Sequence, residues 1–194
     1  MADIWPNAAF TQLKDVTEAQ FAPLRPWTDQ FQAGLGDRII ENLQRLSGDF
    51  GGFPIDRLQH SLQTATRAMR DGHDEEYVVC ALVHDIGDHL ASYNHAHLAG
   101  VVVEPFVSEA NHWMVKNHAP FQGYHYVHFN GGDRFAMEQF RGHPHFEQTF
   151  DFVDKYDQAA FDGAYDTLPL EAFAPMVRQV FAKPRSDFRQ RAAY

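Results

Sequence analysis

Apolar residues recur at helical spacing over most of the chain, and at one place the spacing closes up into a solid run. From Tyr77 to Val83 every position is apolar or small, and the run leads directly into the adjacent pair His84-Asp85, then Ile86-Gly87. A helix that is apolar on all sides has no wet face and belongs at the centre of a core. Around it the pattern predicts further helices. Ile39, Ile40, Leu43 and Leu46 mark one over Asp37–Leu46, and Leu58, Leu62, Ala65 and Met69 mark one from Asp56 to Arg70, closed by Gly72. Asp74 is placed to cap the central helix, with Glu75 and Glu76 on its positive end.

Further helices are expected over Asn94–Val103, ended by Pro105, and from Ser108 to Lys116 or Asn117, with Pro120 just beyond. Others are expected over Phe146–Phe161 and over Leu170–Phe181, the second containing Pro175. Gly and Pro make residues 47–55 a loop, and an earlier helix is expected around Thr17–Gln30. Residues 119–146 are rich in Gly, His and aromatics, with a short helix expected at Phe135–Arg141. Strand alternation is confined to Tyr124–Phe129, so the expected fold is all-α: a bundle of roughly seven to nine helices with no significant sheet. The expected organisation is an N-terminal arm over 1–33, a helical domain over 34–184 and a loose tail over 185–194.

Composition narrows the function. The chain has 194 residues, enough for one domain with a real core. The formal net charge of −10 disfavours nucleic acid as a partner, because that binding rests on neutralising phosphates. No apolar run is long enough to span a bilayer, and Met1–Pro6 lacks the basic flank and apolar core of a signal peptide. The single cysteine, Cys80, suits a reducing cytoplasm. No feature specifies an oligomeric state.

The chemistry starts from His84-Asp85. An imidazole and a carboxylate at the end of a buried helix are costly unless paired, and a metal ion satisfies both at once. The other candidate ligands are His60, His95, His118 and Asp157, each on or at the end of an expected helix. Four His and two Asp make a mixed nitrogen and oxygen set that suits Fe, Mn, Co or Zn better than Mg or Ca, and Asp85 is the natural bridge between two ions. A lone histidine is more often a hydrogen-bonded core residue than a ligand. His73, His125, His128, His143 and His145, in loops or at helix ends, are read that way, while His97 and His112 are ambiguous.

The ordered set His60, His84-Asp85 and Asp157 resembles the H…HD…D signature of the HD-domain superfamily, over roughly residues 37–182. His95 and His118 resemble its two-metal subset. The string from Leu58 to Gln63 and the Lys155-Tyr156-Asp157 segment are similar to the phosphonate-cleaving di-iron oxygenases, and myo-inositol oxygenase shares the ligand order. The resemblance implies one iron on His60, His84 and Asp157 and a second on His95 and His118, with Asp85 bridging. His95 is preferred to His97 for its distance to Ala99-Gly100. It also implies a mixed-valent Fe(II)/Fe(III) pair, with a small-molecule substrate and dioxygen as partners; Mn2+, Co2+ and Zn2+ are the alternative ions.

Departures from those families fall on the substrate-holding groups. Phe50 and Phe53 stand where the phosphonate oxygenases have Tyr and Glu, and Gln122 where they have Lys. Asp154 replaces a basic residue, and Asp88 stands where myo-inositol oxygenase has Lys. Phe53, Arg57, Gln63, Asp88, Gln122 and Tyr124 are the candidate substrate-binding residues. The aromatics with Asp88 and Asp154 suit a hydroxylated, cationic or quaternary-ammonium compound. The resemblance thus implies a di-iron oxygenase cleaving a C–C or C–P bond of a small hydroxylated substrate, an organophosphonate or a cationic compound. The alternatives are a divalent-metal phosphohydrolase, with Arg57 or Arg134 gripping phosphate, and a metal-stabilised binding module without turnover.

Overall fold

The computed structural model describes residues 10–186; Met1–Pro6 and most of the expected tail, from Asp187, lie outside the described residues. The described chain is helical, and no strand occurs in it. Its longer helices are α1 (Arg25–Ala33), α2 (Leu35–Gln44), α3 (Arg57–Arg70), α4 (Glu75–Val83), α5 (His95–Val103), α6 (Glu109–Gly123), α7 (Phe146–Phe152) and α8 (Leu170–Val180). Single turns at Glu18–Phe21 and Asp88–Ala91 and several 3-10 segments fill the connections.

The central run behaves as its composition demands. Every residue of α4 from Tyr77 to Val83 is buried. Helices α3, α6 and α8 pack against α4, α5 and α7 pack against α6, and α8 also packs on α2. Leu82, Val83, Met114, Phe152 and Phe173 are all fully enclosed in the shared core. Burying each such side chain stabilises the fold by roughly 1.5–3 kcal/mol.

Caps fix where the ligand-bearing helices begin. Asp56 accepts from Gln59 N at 2.8 Å at the start of α3, and its other oxygen accepts from Gly48 N at 2.9 Å, pinning the preceding loop. Asp74 accepts from Tyr77 N at 2.9 Å at the start of α4. One oxygen of Glu76 accepts from Ser108 N at 2.8 Å and from Asn111 Nδ2 at 2.7 Å, which ties the start of α6 to the start of α4.

Three local expectations are corrected. Helix α6 runs on to Gly123 with Pro120 inside it, so the proline costs a hydrogen bond without stopping the helix. Tyr124–Phe129 is no strand; it holds a turn and a 3-10 segment over Val127–Asn130. The expected helix Phe146–Phe161 is α only to Phe152 and widens to a π turn over Val153–Asp157. Gly87 lies four residues beyond Val83, the last residue of α4. Its φ is −72°, and a Cβ there would lie 2.4 Å from the His95 carbonyl oxygen, so it is small to let the start of α5 approach the His84-Asp85 turn.

No described helix is long and apolar enough to cross a membrane. Cys80 is free and buried.

Candidate metal centre

Five elements deliver six polar side chains to one point. The end of α4 gives His84 and Asp85, α3 gives His60, α5 gives His95, α6 gives His118 and the π turn gives Asp157. His84, His118 and Asp157 are fully buried, and His60 and Asp85 nearly so. Imidazole centroids stand 5.2 Å apart for His60 and His84, 4.9 Å for His84 and His118, and 5.3 Å for His95 and His118.

Asp85 divides its two oxygens. Oδ2 lies 3.5 Å from His60 Nε2 and 3.3 Å from His84 Nε2, while Oδ1 lies 3.2 Å from both His95 Nε2 and His118 Nε2. Asp157 Oδ1 closes the first group, 3.2 Å from His60 Nε2 and 3.6 Å from His84 Nε2. Clusters of ligand spacing form at His60, His84 and Asp157, at His84, Asp85 and His118, and at Asp85, Asp88 and His95.

The outward nitrogens fix the tautomers. His60 Nδ1 is 3.0 Å from Ala160 O, His84 Nδ1 2.8 Å from Ala81 O and His118 Nδ1 2.8 Å from Val115 O. A carbonyl only accepts, so each Nδ1 carries a hydrogen and each neutral ring turns its Nε2 lone pair inward. His95 differs: its Nδ1 faces a carboxylate oxygen, Asp88 Oδ1, at 3.2 Å. His95 Nε2 and Asp157 Oδ2 are buried without a hydrogen-bond partner. Converging lone pairs and carboxylate oxygens fit a cation, and the nitrogen and oxygen donor set fits a first-row transition ion.

The electrostatics agree. Burial lowers the tendency of His84 to protonate, but the carboxylates of Asp85 and Asp157 outweigh it and raise its pKa well above the usual imidazole range. Burial acts against ionisation of Asp85 and Asp157, yet His84, with His118 for Asp85 and His60 for Asp157, holds both below the ordinary carboxylate range. Asp88 is raised by burial and by Asp85, against the pull of His95 and Arg57. Asp85 and Asp157 thus favour their ionised forms, and their negative charge favours a cation among the rings.

A cavity of about 510 Å³ opens onto the cluster, lined among others by Phe50, Phe53, Arg57, His60, Asp85, Asp88, His95, Gln122, His125, Tyr126 and Phe161. Of the substrate-binding candidates, Phe53, Arg57, Asp88 and Gln122 line it. Gln63 does not: it is buried, donates to Asp162 O at 2.8 Å and accepts from Asp162 N at 3.1 Å, so it clamps the backbone after Asp157. Tyr124 also turns away, beneath the Arg134 guanidinium at 4.2 Å. Asp154 is exposed and lies outside this cavity, and His97 is exposed while His95 faces Asp85. Gln122 Nε2 donates to Asp157 Oδ1 at 2.6 Å.

Tyr126 falls in the aromatic stretch Phe121–Phe129 that the sequence offers as a dry wall, whereas His125, read as a core histidine, and Phe161 were missed. For His125 and Tyr126 the signal was periodicity, positions three and four beyond Gln122 returning to its face as the chain leaves α6; Phe161 lies past the π turn, where no helical period applies. Phe161 stacks on the His60 ring at 4.6 Å and lies 5.2 Å from Phe53. The Tyr126 phenol is pushed up by burial and by the carboxylates of Asp157, Asp85 and Asp88.

No family model matches the chain. It is 26% identical over 184 aligned positions, covering 79% of this chain and 90% of the relative, to a [1-hydroxy-2-(trimethylamino)ethyl]phosphonate dioxygenase (glycine-betaine-forming) of Leisingera caerulea. The similarity is to an oxygenase, and it accords with a coarse HD-domain-like reading of the helical architecture.

Proposed function

We propose that the chain is an HD-type non-heme di-iron oxygenase that cleaves a C–C or C–P bond of a small hydroxylated substrate carrying a cationic, quaternary-ammonium-like group. The observation that carries this reading is the division of Asp85 between two sets of imidazoles. His60, His84 and Asp157 would hold one iron, His95 and His118 the other, and Asp85 would bridge them. Iron there would supply one-electron chemistry toward dioxygen and a Lewis-acidic anchor for a substrate hydroxyl.

The side chains do the rest. The Nδ1 contacts lock each imidazole, and Gln122 holds Asp157 by its Oδ1. Phe50, Phe53, Phe161 and Tyr126 give the cavity an aromatic wall. Their ring faces favour a quaternary ammonium by about 0.5–2 kcal/mol each where desolvated. The relative named above acts, by its name, on a compound with a hydroxyl, a trimethylamino group and a phosphonate; the first two fit this cavity.

The phosphohydrolase reading has less support. Phosphate recognition calls for a guanidinium free to grip it. Arg57 is engaged by Asp49 and Asp88, and Arg134 is stacked on Tyr124 away from the cavity. The two readings separate in an oxygen electrode. Iron-loaded protein given hydroxylated trimethylammonium compounds consumes oxygen under the oxygenase reading. Release of inorganic phosphate from phosphate esters without oxygen uptake supports the hydrolase instead.

A further inference from the structure

Asp88 stands at the junction of the metal cluster and the cavity wall. It is 8% exposed, and its two oxygens are divided as those of Asp85 are. Oδ1 faces His95 Nδ1 at 3.2 Å, and Oδ2 pairs with the Arg57 guanidinium. Arg57 Nε in turn donates to Asp49 Oδ2 at 3.1 Å, in the loop that carries Phe50 and Phe53. His95 is the one imidazole of the four whose outer nitrogen rests on a carboxylate and not on a backbone carbonyl. It is also the most exposed of them, with 20% of its side chain accessible on the cavity side.

We infer that Asp88 is a positioning residue for the second ion, and that Arg57 couples it to the aromatic loop over the cavity. The inference rests on the two-ion reading above. Asp85, Asp88 and His95 lie at ligand spacing, but Asp88 meets the ring at Nδ1 while Asp85 meets it at Nε2, so with Nε2 turned to the ion Asp88 stands behind the ring. Its role is to fix the ring's orientation and to make Nε2 a more electron-rich donor, as carboxylates behind ligating histidines do. Three of the imidazoles are held by the backbone of the core and are set once the helices pack. The fourth is set by a side-chain chain, Asp49 to Arg57 to Asp88 to His95, whose first member belongs to the substrate-facing loop. The consequence is asymmetry: the His60/His84/Asp157 ion is held by the fold, and the His95/His118 ion by the fold together with that loop.

The test is an anaerobic Co2+ titration of the metal-free full chain, followed by visible absorption and by metal content after gel filtration. The wild type takes two equivalents. Asp88→Ala keeps the first with unchanged affinity and spectrum, which also shows that the variant folds, and weakens the second by about 10–100-fold. Asp88→Asn recovers part of the loss, because its amide oxygen still accepts from Nδ1–H, and Arg57→Gln weakens the second equivalent by less than Asp88→Ala does. Two equivalents bound by Asp88→Ala with wild-type affinity and spectrum would overturn the assignment, as would equal loss of both. A wild type that takes fewer than two equivalents overturns the two-ion reading itself, and the positioning role falls with it.

Discussion

The Nε2 atoms of His60 and His84 lie 3.2 Å apart, and both rings have their Nδ1 hydrogens committed to backbone carbonyls. Two inward lone pairs at that separation repel unless a cation stands with them. The carboxylates of Asp85 and Asp157 favour the protonated form of His84, which relieves that repulsion, as a bound metal ion would.

Metal binding is therefore coupled to pH. Loading must displace the His84 proton, so apparent affinity rises as pH rises toward the elevated His84 value, with net proton release. The metal-free protein shows the converse. Stability from the raised His84 is fully present below the unfolded imidazole value near ~6.5 and is lost as pH climbs through the folded value. Stability from the lowered Asp85 and Asp157 is present above roughly 3.9 and is lost as pH falls through their folded values. Calorimetric titration in buffers of different protonation enthalpy measures the proton release. A pH-independent affinity between 6 and 8 contradicts the coupling.

Replacing Asp85 by Ala removes an oxygen from both halves of the cluster and should abolish binding of both ions. His118→Ala should lose mainly one, because His118 faces Asp85 Oδ1 and the His60/His84/Asp157 group is intact. Elemental analysis of the folded variants distinguishes them. Two equivalents retained by His118→Ala would remove it from the site.

Gly87→Ala should damage the centre without touching a ligand. Its methyl would meet the His95 backbone at 2.4 Å, forcing the start of α5 away from Asp85. The expected signature is a weakened second ion together with a loss of stability on the order of 1–3 kcal/mol, the usual cost of overpacking. Unchanged thermal unfolding and metal content would show that the helix can shift freely.

Phe161→Ala and Phe53→Ala should weaken binding of tetramethylammonium by about 2–30-fold each, the range that corresponds to a single cation–π contact. Equilibrium binding to the metal-loaded protein checks this. A cavity that binds methylphosphonate but not tetramethylammonium would reverse the substrate assignment.

Much of this architecture was legible in the sequence, for physical reasons that differ by residue. Tyr77–Val83 could be placed because an apolar helix has only one home, and Asp56 and Asp74 because capping is a local interaction. His60, His84, Asp85, His95, His118 and Asp157 were gathered through their resemblance to the H…HD…D order, since a place on a helix does not by itself separate His95 from His97. What failed was where helices end. Pro120 did not stop α6, so Tyr124 was expected in the cavity where Tyr126 stands. Gln63 lies one turn from His60 and looked available, but its partner is the backbone of Asp162, 99 positions away, and such a pairing leaves no mark on local pattern.

The central claim is that one carboxylate, Asp85, joins two ions. Protein purified anaerobically from iron-rich cells tests it most directly, by iron content together with Mössbauer and EPR spectra after partial oxidation. The account predicts two irons per chain and an exchange-coupled mixed-valent signal that changes when a hydroxylated trimethylammonium compound is added. A single iron per chain, or two irons that remain magnetically isolated, would contradict it.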